Sequence, residues 1–150
     1  MKLHSLRGAT RPSTLAALVV GLSILLVGCG GVSAGGDKPS DSDGEKAVRA
    51  AVAEQSGGKI KLLAYTKLES VTGEMMGVQM HSQDFEGEIQ FTEDANWMVG
   101  YKSGPFSLQQ AGSGLGKPVK KDERVKISGE VEFMKSDSGW KVNKVRCEEP

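Results

Sequence analysis

The sequence predicts an α+β domain: one N-terminal helix packed on a curved antiparallel sheet of four to six strands. Three observations predict it. Ala47, Val48, Ala51 and Val52 fall on one stripe at helical spacing. Three later stretches alternate apolar and polar residues with a period of two, which marks antiparallel strands wet on one face. Ser136-Asp137-Ser138-Gly139 is turn chemistry between two strand-like runs. One helix followed by a series of strands is the α+β order.

The helix is expected to open at Ser42-Asp43-Gly44-Glu45. There a Ser side chain and a Glu three residues on satisfy each other's backbone donors. Glu45 and Arg49 stand i,i+4 in the favourable order. Gly57-Gly58 supplies the stop.

In the first strand, Ile60, Leu62, Ala64 and Leu68 alternate with Lys59, Lys61, Lys67 and Glu69, and Leu63 and Tyr65 blur the pattern. Next, Phe85, Gly87, Ile89 and Phe91 alternate with Asp84, Glu86, Glu88 and Gln90. Then Val125, Ile127, Val131 and Phe133 alternate with Arg124, Lys126, Glu130 and Glu132. Trp140, Val142 and Val145 continue past the turn. Shorter strands are expected at Met75–Met80 and Asn96–Tyr101. Residues 102–123 read as one long Gly- and Pro-containing connection, docked by Phe106 and Leu108. A loop of that length is either functional or without structure of its own.

The first 28 residues are of another kind. Lys2, Arg7 and Arg11 give a basic start without acid. Residues 15–27 are an unbroken run of apolar and small residues, short for a transmembrane helix, which needs roughly 20. Leu26-Val27-Gly28-Cys29 follows. This is the layout of a secretory signal. Its ending resembles the lipobox of bacterial lipoproteins. That resemblance implies cleavage between Gly28 and Cys29, with diacylglycerol and often a further acyl chain such as palmitate on Cys29. Two or three acyl chains anchor stably where one does not. Gly30 stands where that family often carries an inner-membrane retention Asp. The expected location is therefore a cell membrane or outer membrane, lipid-anchored, facing periplasm or exterior.

Three zones follow: a signal peptide at 1–28, a lipidated Cys with a flexible linker at 29–41, and a single α+β domain at 42–150. The linker GGVSAGGDKPSD has almost nothing to bury and behaves as a coil. Cleavage before Cys29 leaves 122 residues with sixteen basic against nineteen acidic side chains, a net charge of −3. That balance argues against a nucleic-acid partner. About 100 ordered residues suffice to bury a core without staples. Lipid on Cys29 leaves Cys147 as the last thiol, expected to act as a small buried hydrophobe.

Each motif that suggests chemistry lacks parts. Residues 111–118, AGSGLGKP, resemble a phosphate loop, but Ala111 stands where the first Gly belongs and Pro118 where Ser or Thr belongs. Asp84, Glu86 and Glu88 share one strand face, opposite Phe85, Ile89 and Phe91, so they are expected in solvent. His81 is the one histidine after residue 28, and with Cys147 it makes no zinc set, which draws on three or four ligands. A surface or rim position is expected for it. Met75, Met76 and Met80 are expected to fill gaps in the core. Trp97, Phe106 and Trp140 are the candidates for a binding surface; the bland reading for the tryptophans is packing.

The order of elements, with a Gly-Trp-Lys-Val arm after a tight turn near the C-terminus, is similar to small cystatin-like and NTF2-like envelope domains. NTF2-like domains carry about three helices before the sheet, and one is found, which favours the cystatin-like variant. The expected function is a non-catalytic binding or accessory domain with no cofactor, metal or catalytic set. It would bind an envelope protein or polymer through its sheet face or through residues 102–123. The alternative is a small-ligand carrier or NTF2-like enzyme. Its pocket would lie between helix and sheet, with His81 and Asp84 pointing inward.

Overall fold

The structure, a computed structural model, describes residues 37–99 and 104–148. The signal peptide, Gly28, Cys29, the linker as far as residue 36, Tyr101 and Lys102 lie outside the described residues. Helix α1, Asp41–Ser56, opens the domain. Among the described residues seven strands follow: β1 Ile60–Met75, β2 Val78–Phe91, β3 Ala95–Met98, β4 Ser107–Gln110, β5 Lys117–Val119, β6 Arg124–Ser136 and β7 Gly139–Glu148. They form a four-stranded sheet in the order β1-β2-β6-β7 and a three-stranded sheet in the order β4-β3-β5. Every pairing is antiparallel. The α+β class holds, with one helix packed on an antiparallel sheet.

The helix begins two residues earlier than expected. Ser40, not Ser42, is the N-cap. Its Oγ accepts from the Asp43 amide at 3.3 Å, and the Asp43 carboxylate accepts from the Ser40 amide at 2.8 Å. The choice between two overlapping Ser-x-x-acid motifs is made by distant contacts. Gln83 of β2 donates its side-chain amide to the Pro39 and Ser40 carbonyls at 3.0 and 3.2 Å, which fixes the chain before the first turn. Downstream the expectations hold. Ala47, Val48 and Val52 are buried, and Ala51 packs partly against the same core. Glu45 and Arg49 pair at 2.7 Å. Gly57 ends the helix at φ 62, a left-handed conformation that costs glycine nothing.

The core lies between α1 and one face of the four-stranded sheet. Phe85, Ile89, Phe91, Ile127, Val131 and Phe133 supply the sheet's share, and each is buried. The small sheet closes one end. Trp97 sets its edge on Phe91 with ring centroids 5.6 Å apart and donates Nε1–H to the Pro105 carbonyl at 3.0 Å. The Phe106 amide donates to Gln55 of α1 at 3.1 Å. The expected long connection at 102–123 is thus corrected over its described part. Two short stretches of it pair with β3, and Phe106 is buried in the core. The expected strand at Asn96–Tyr101 is β3, shifted to Ala95–Met98.

Two further expectations are corrected in the first hairpin. Met75–Met80 is not a separate strand but the turn where β1 becomes β2. Met75 and Met76 are exposed, so they fill no core gap. Ala64 and Leu68 also face out. The register shift between Leu62 and Ala64 explains this, and a second shift between Lys67 and Ser70 restores the parity, so that Ser70 and Thr72 face inward. An extra residue in one strand turns the following side chains to the other face. Tyr65 therefore turns inward and stacks on Phe85 at 5.4 Å.

Candidate functional site

The feature with functional content lies at one end of the four-stranded sheet. There the β1–β2 turn, Met76-Gly77, stands beside the β6–β7 turn, Asp137-Ser138. The register fixes this: Met80 pairs with Met134, and Met134 pairs with Lys141. The two faces of the sheet differ sharply at this end.

The inner face carries a buried polar cluster. Thr72 pairs with His81, and Ser70 with Gln83. The Thr72 hydroxyl lies 2.7 Å from His81 Nδ1. Gln83 Nε2 lies 3.5 Å from His81 Nε2 while it donates to Pro39 and Ser40. An amide nitrogen can only donate. Its two hydrogens go to the Pro39 and Ser40 carbonyls, and each ring nitrogen of His81 lies against a polar side chain, Nδ1 at Thr72 and Nε2 at Gln83. The ring also lies edge-on to Trp140 at 6.0 Å. Trp140 in turn donates Nε1–H to the Asp37 carbonyl at 3.1 Å. Residues 37–40 so cover the cluster from the linker side.

His81 is thus not a surface histidine; it is 3 % exposed. It belongs to the same strand parity as Phe85, Ile89 and Phe91, two steps further back. Burial, then the charges of Lys38 and Lys67, hold its pKa below the ordinary imidazole range. The unfolded chain keeps the ordinary value, about 6.5. Below that pH the unfolded chain takes up a proton that the folded chain resists. Stability at His81 is complete above about pH 7 and is lost as pH falls below about 6.5. We expect His81→Gln to flatten the fall in stability between about pH 7 and 5, read by denaturant unfolding at closely spaced pH. An unchanged slope would show that other groups carry it.

Two atoms of the cluster have no hydrogen-bond partner among the described residues: the Tyr65 hydroxyl and Gln83 Oε1. Both point at Gly44 of α1. A Cβ there would lie 2.2 Å from Gln83 Oε1 and 2.3 Å from the Tyr65 hydroxyl. Burial, then the charges of Asp41 and Glu45, push the Tyr65 pKa up to about 12.

The outer face carries charge in its middle and apolar residues at its end. Asp84 and Glu86 are exposed as expected, and Glu88 faces Arg124 at 3.8 Å. Arg146 pairs with Glu130 at 2.9 Å. Toward the turn the pattern changes. Val71 pairs with Ser82, Gly73 with Met80, and Met75 with Val78. Residues directly opposite each other share a face. Val71, Met75, Val78, Met80 and Met134 therefore share the outer face, and Met76 caps it at 98 % exposure. Met76 and Gly77 have φ of 53 and 80, the pattern of a tight hairpin turn that favours Asn or Gly. A methionine in that conformation is strained, and its side chain reaches only solvent.

The candidate binding residues fare differently from this patch. Trp97, Phe106 and Trp140 are closed off from solvent and serve as packing. Cys147 is buried at the far end of β7. The pocket expected to join His81 with Asp84 does not form, since the two side chains lie on opposite faces of β2. Residues 111–116 are turn and bend leading into β5, with no helix after Lys117. No cluster of three His, Cys, Asp or Glu suited to a metal ion occurs among the described residues. Among them no helix is long and apolar enough to cross a membrane. No family model matches the chain, and no curated protein or solved structure matches it.

Proposed function

We propose that this chain is a membrane-anchored bacterial envelope lipoprotein, held by lipid on Cys29, whose domain is a non-catalytic binding or accessory module. The lipobox at Leu26-Val27-Gly28-Cys29 supports the anchor. The observation that carries the non-catalytic part is the state of His81. Its two nitrogens are engaged by Thr72 and Gln83, and residues 37–40 cover it. A general base needs reach to a substrate proton. The outer sheet face, with its charged rows, is the surface left for an envelope protein or polymer.

The arrangement also supports the cystatin-like reading. Without the β3–β5 insertion, the described residues form one helix followed by four antiparallel strands in sequential order.

Replacing Cys29 with Ala is expected to leave an unprocessed precursor without lipid, read by gel shift and by incorporation of an alkynyl fatty acid. A mutant cut normally and released would sink the anchored reading. A turnover activity abolished by one side-chain change would sink the non-catalytic one.

A further inference from the structure

The anchored reading leaves open what the apolar end of the sheet touches. We infer that Val71, Met75, Met76, Val78, Met80 and Met134 seat in the lipid surface of the same membrane that holds Cys29. This rests on the anchored reading and adds a second, non-covalent contact to it.

The described chain begins at the patch end of the sheet. Asp37 is pinned to Trp140, two residues past the β6–β7 turn. That turn stands beside Met76-Gly77, since Met80, Met134 and Lys141 lie in one row across the sheet. The described chain therefore begins, at Asp37, at the end of the sheet that carries the patch. Seven residues, 30–36, separate Asp37 from Cys29. Eight steps of extended chain span at most about 28 Å, and a flexible coil of that length averages about 16 Å. Such a short lead keeps this end of the sheet, and not the far end with β3–β5, against the bilayer.

Monomeric domains rarely leave a contiguous apolar face in water without use. Methionine side chains are flexible and apolar, suited to an irregular and fluid surface. Met76 is held outward in a turn conformation that disfavours it. Charge at this end is mixed: Lys38, Lys135 and Lys141 stand with Asp37, Glu74 and Asp137. Seating is thus driven by apolar burial and should need no anionic lipid. Lys141, beside Met134, can extend its stem along the patch and keep its ammonium at the headgroups.

The test uses the lipidated full-length mature chain in phosphatidylcholine vesicles. Met76→Trp places an indole at the turn, and vesicles with acyl-brominated phosphatidylcholine quench indoles that enter the hydrocarbon edge. Trp97 and Trp140, both buried, give the background from the unsubstituted chain. The expected result is a blue-shifted added emission that brominated lipid quenches. A water-like emission without quenching would overturn the inference. So would a blue shift without quenching, which would place the turn against a second copy of the chain. Peroxide oxidation needs no substitution. Met75 and Met76 on vesicles should oxidise at least about fivefold more slowly than free methionine in the same suspension, because oxidation follows exposure. Equal rates would overturn the inference. The intact mass of the chain separates the two readings. No lipid mass on Cys29 removes the anchored reading and this one with it. Lipid mass with a water-exposed turn removes this one alone.

Discussion

Replacing Trp140 with Ala is expected to destabilise the domain by about 3–5 kcal/mol, the range for deleting a buried aromatic side chain. Trp140 is 1 % exposed and does three things. It fills the core near Phe133, it backs His81 edge-on at 6.0 Å, and it holds the Asp37 carbonyl at 3.1 Å. Lys135 also lies over its ring at 5.5 Å, a contact worth about 0.5–1 kcal/mol when exposed. Trp140→Phe separates the roles. It keeps a ring and removes the N–H, so the loss should be nearer 1 kcal/mol for the hydrogen bond, plus some packing. Urea unfolding of both variants checks the order. Equal losses would mean that the linker contact, not the ring, carries the stability.

Trp140, a candidate binding residue in the sequence, is packing in the fold, whereas the strand alternation was legible. Alternation placed Phe85, Ile89, Phe91, Ile127, Val131 and Phe133 on one face, and all are buried. It placed Asp84 and Glu86 outside, and they are exposed. These are local statements: a period of two needs only neighbours along the chain. The helix stripe at Ala47, Val48 and Val52 is legible for the same reason, with a period of 3.6.

What failed is what long-range contacts decide. The N-cap moved from Ser42 to Ser40 because Gln83, forty-three residues away, takes the Ser40 carbonyl. Ala64 and Leu68 turned out because the first register shift in β1 changes its parity, which the second restores beyond Lys67. Leu63 and Tyr65, which break the alternation, were the trace of the first shift. Residues 107–119 contain strands of four and three residues, too short to show any period. His81 was legible in principle. Stepping back by two from Phe85 reaches Gln83 and then His81, but only if β2 begins at Val78 rather than Asp84. Reading Met75–Met80 as a strand of its own hid both the buried cluster and the exposed patch. The patch depends on pairing across three strands, which no single stretch encodes.

Replacing Gly129 with Ala is expected to cost about 3 kcal/mol, although the change adds only one methyl group. Gly129 of β6 pairs with Cys147 of β7. A Cβ there would lie 2.1 Å from the Arg146 carbonyl oxygen and 3.0 Å from two atoms of the Phe85 ring. Phe85 is fully buried and stacked on Tyr65, so its ring has little room to withdraw. The carbonyl belongs to the backbone of the neighbouring strand. Relief therefore requires β7 to move off β6, which lengthens ladder hydrogen bonds worth about 0.5–1.5 kcal/mol each. Overpacking of the core adds about 1–3 kcal/mol. The Arg146–Glu130 pair on the outer face is exposed and contributes little to the sum. Gly73→Ala is the control. Gly73 is also a strand glycine, but nothing lies within 4 Å of its Cβ position and its φ is ordinary. That variant should be neutral or slightly stabilising, since Ala loses less backbone freedom on folding than Gly. Thermal unfolding of the two variants side by side is decisive. If Gly129→Ala melts with Gly73→Ala, β6 and β7 do not approach as closely as their register requires.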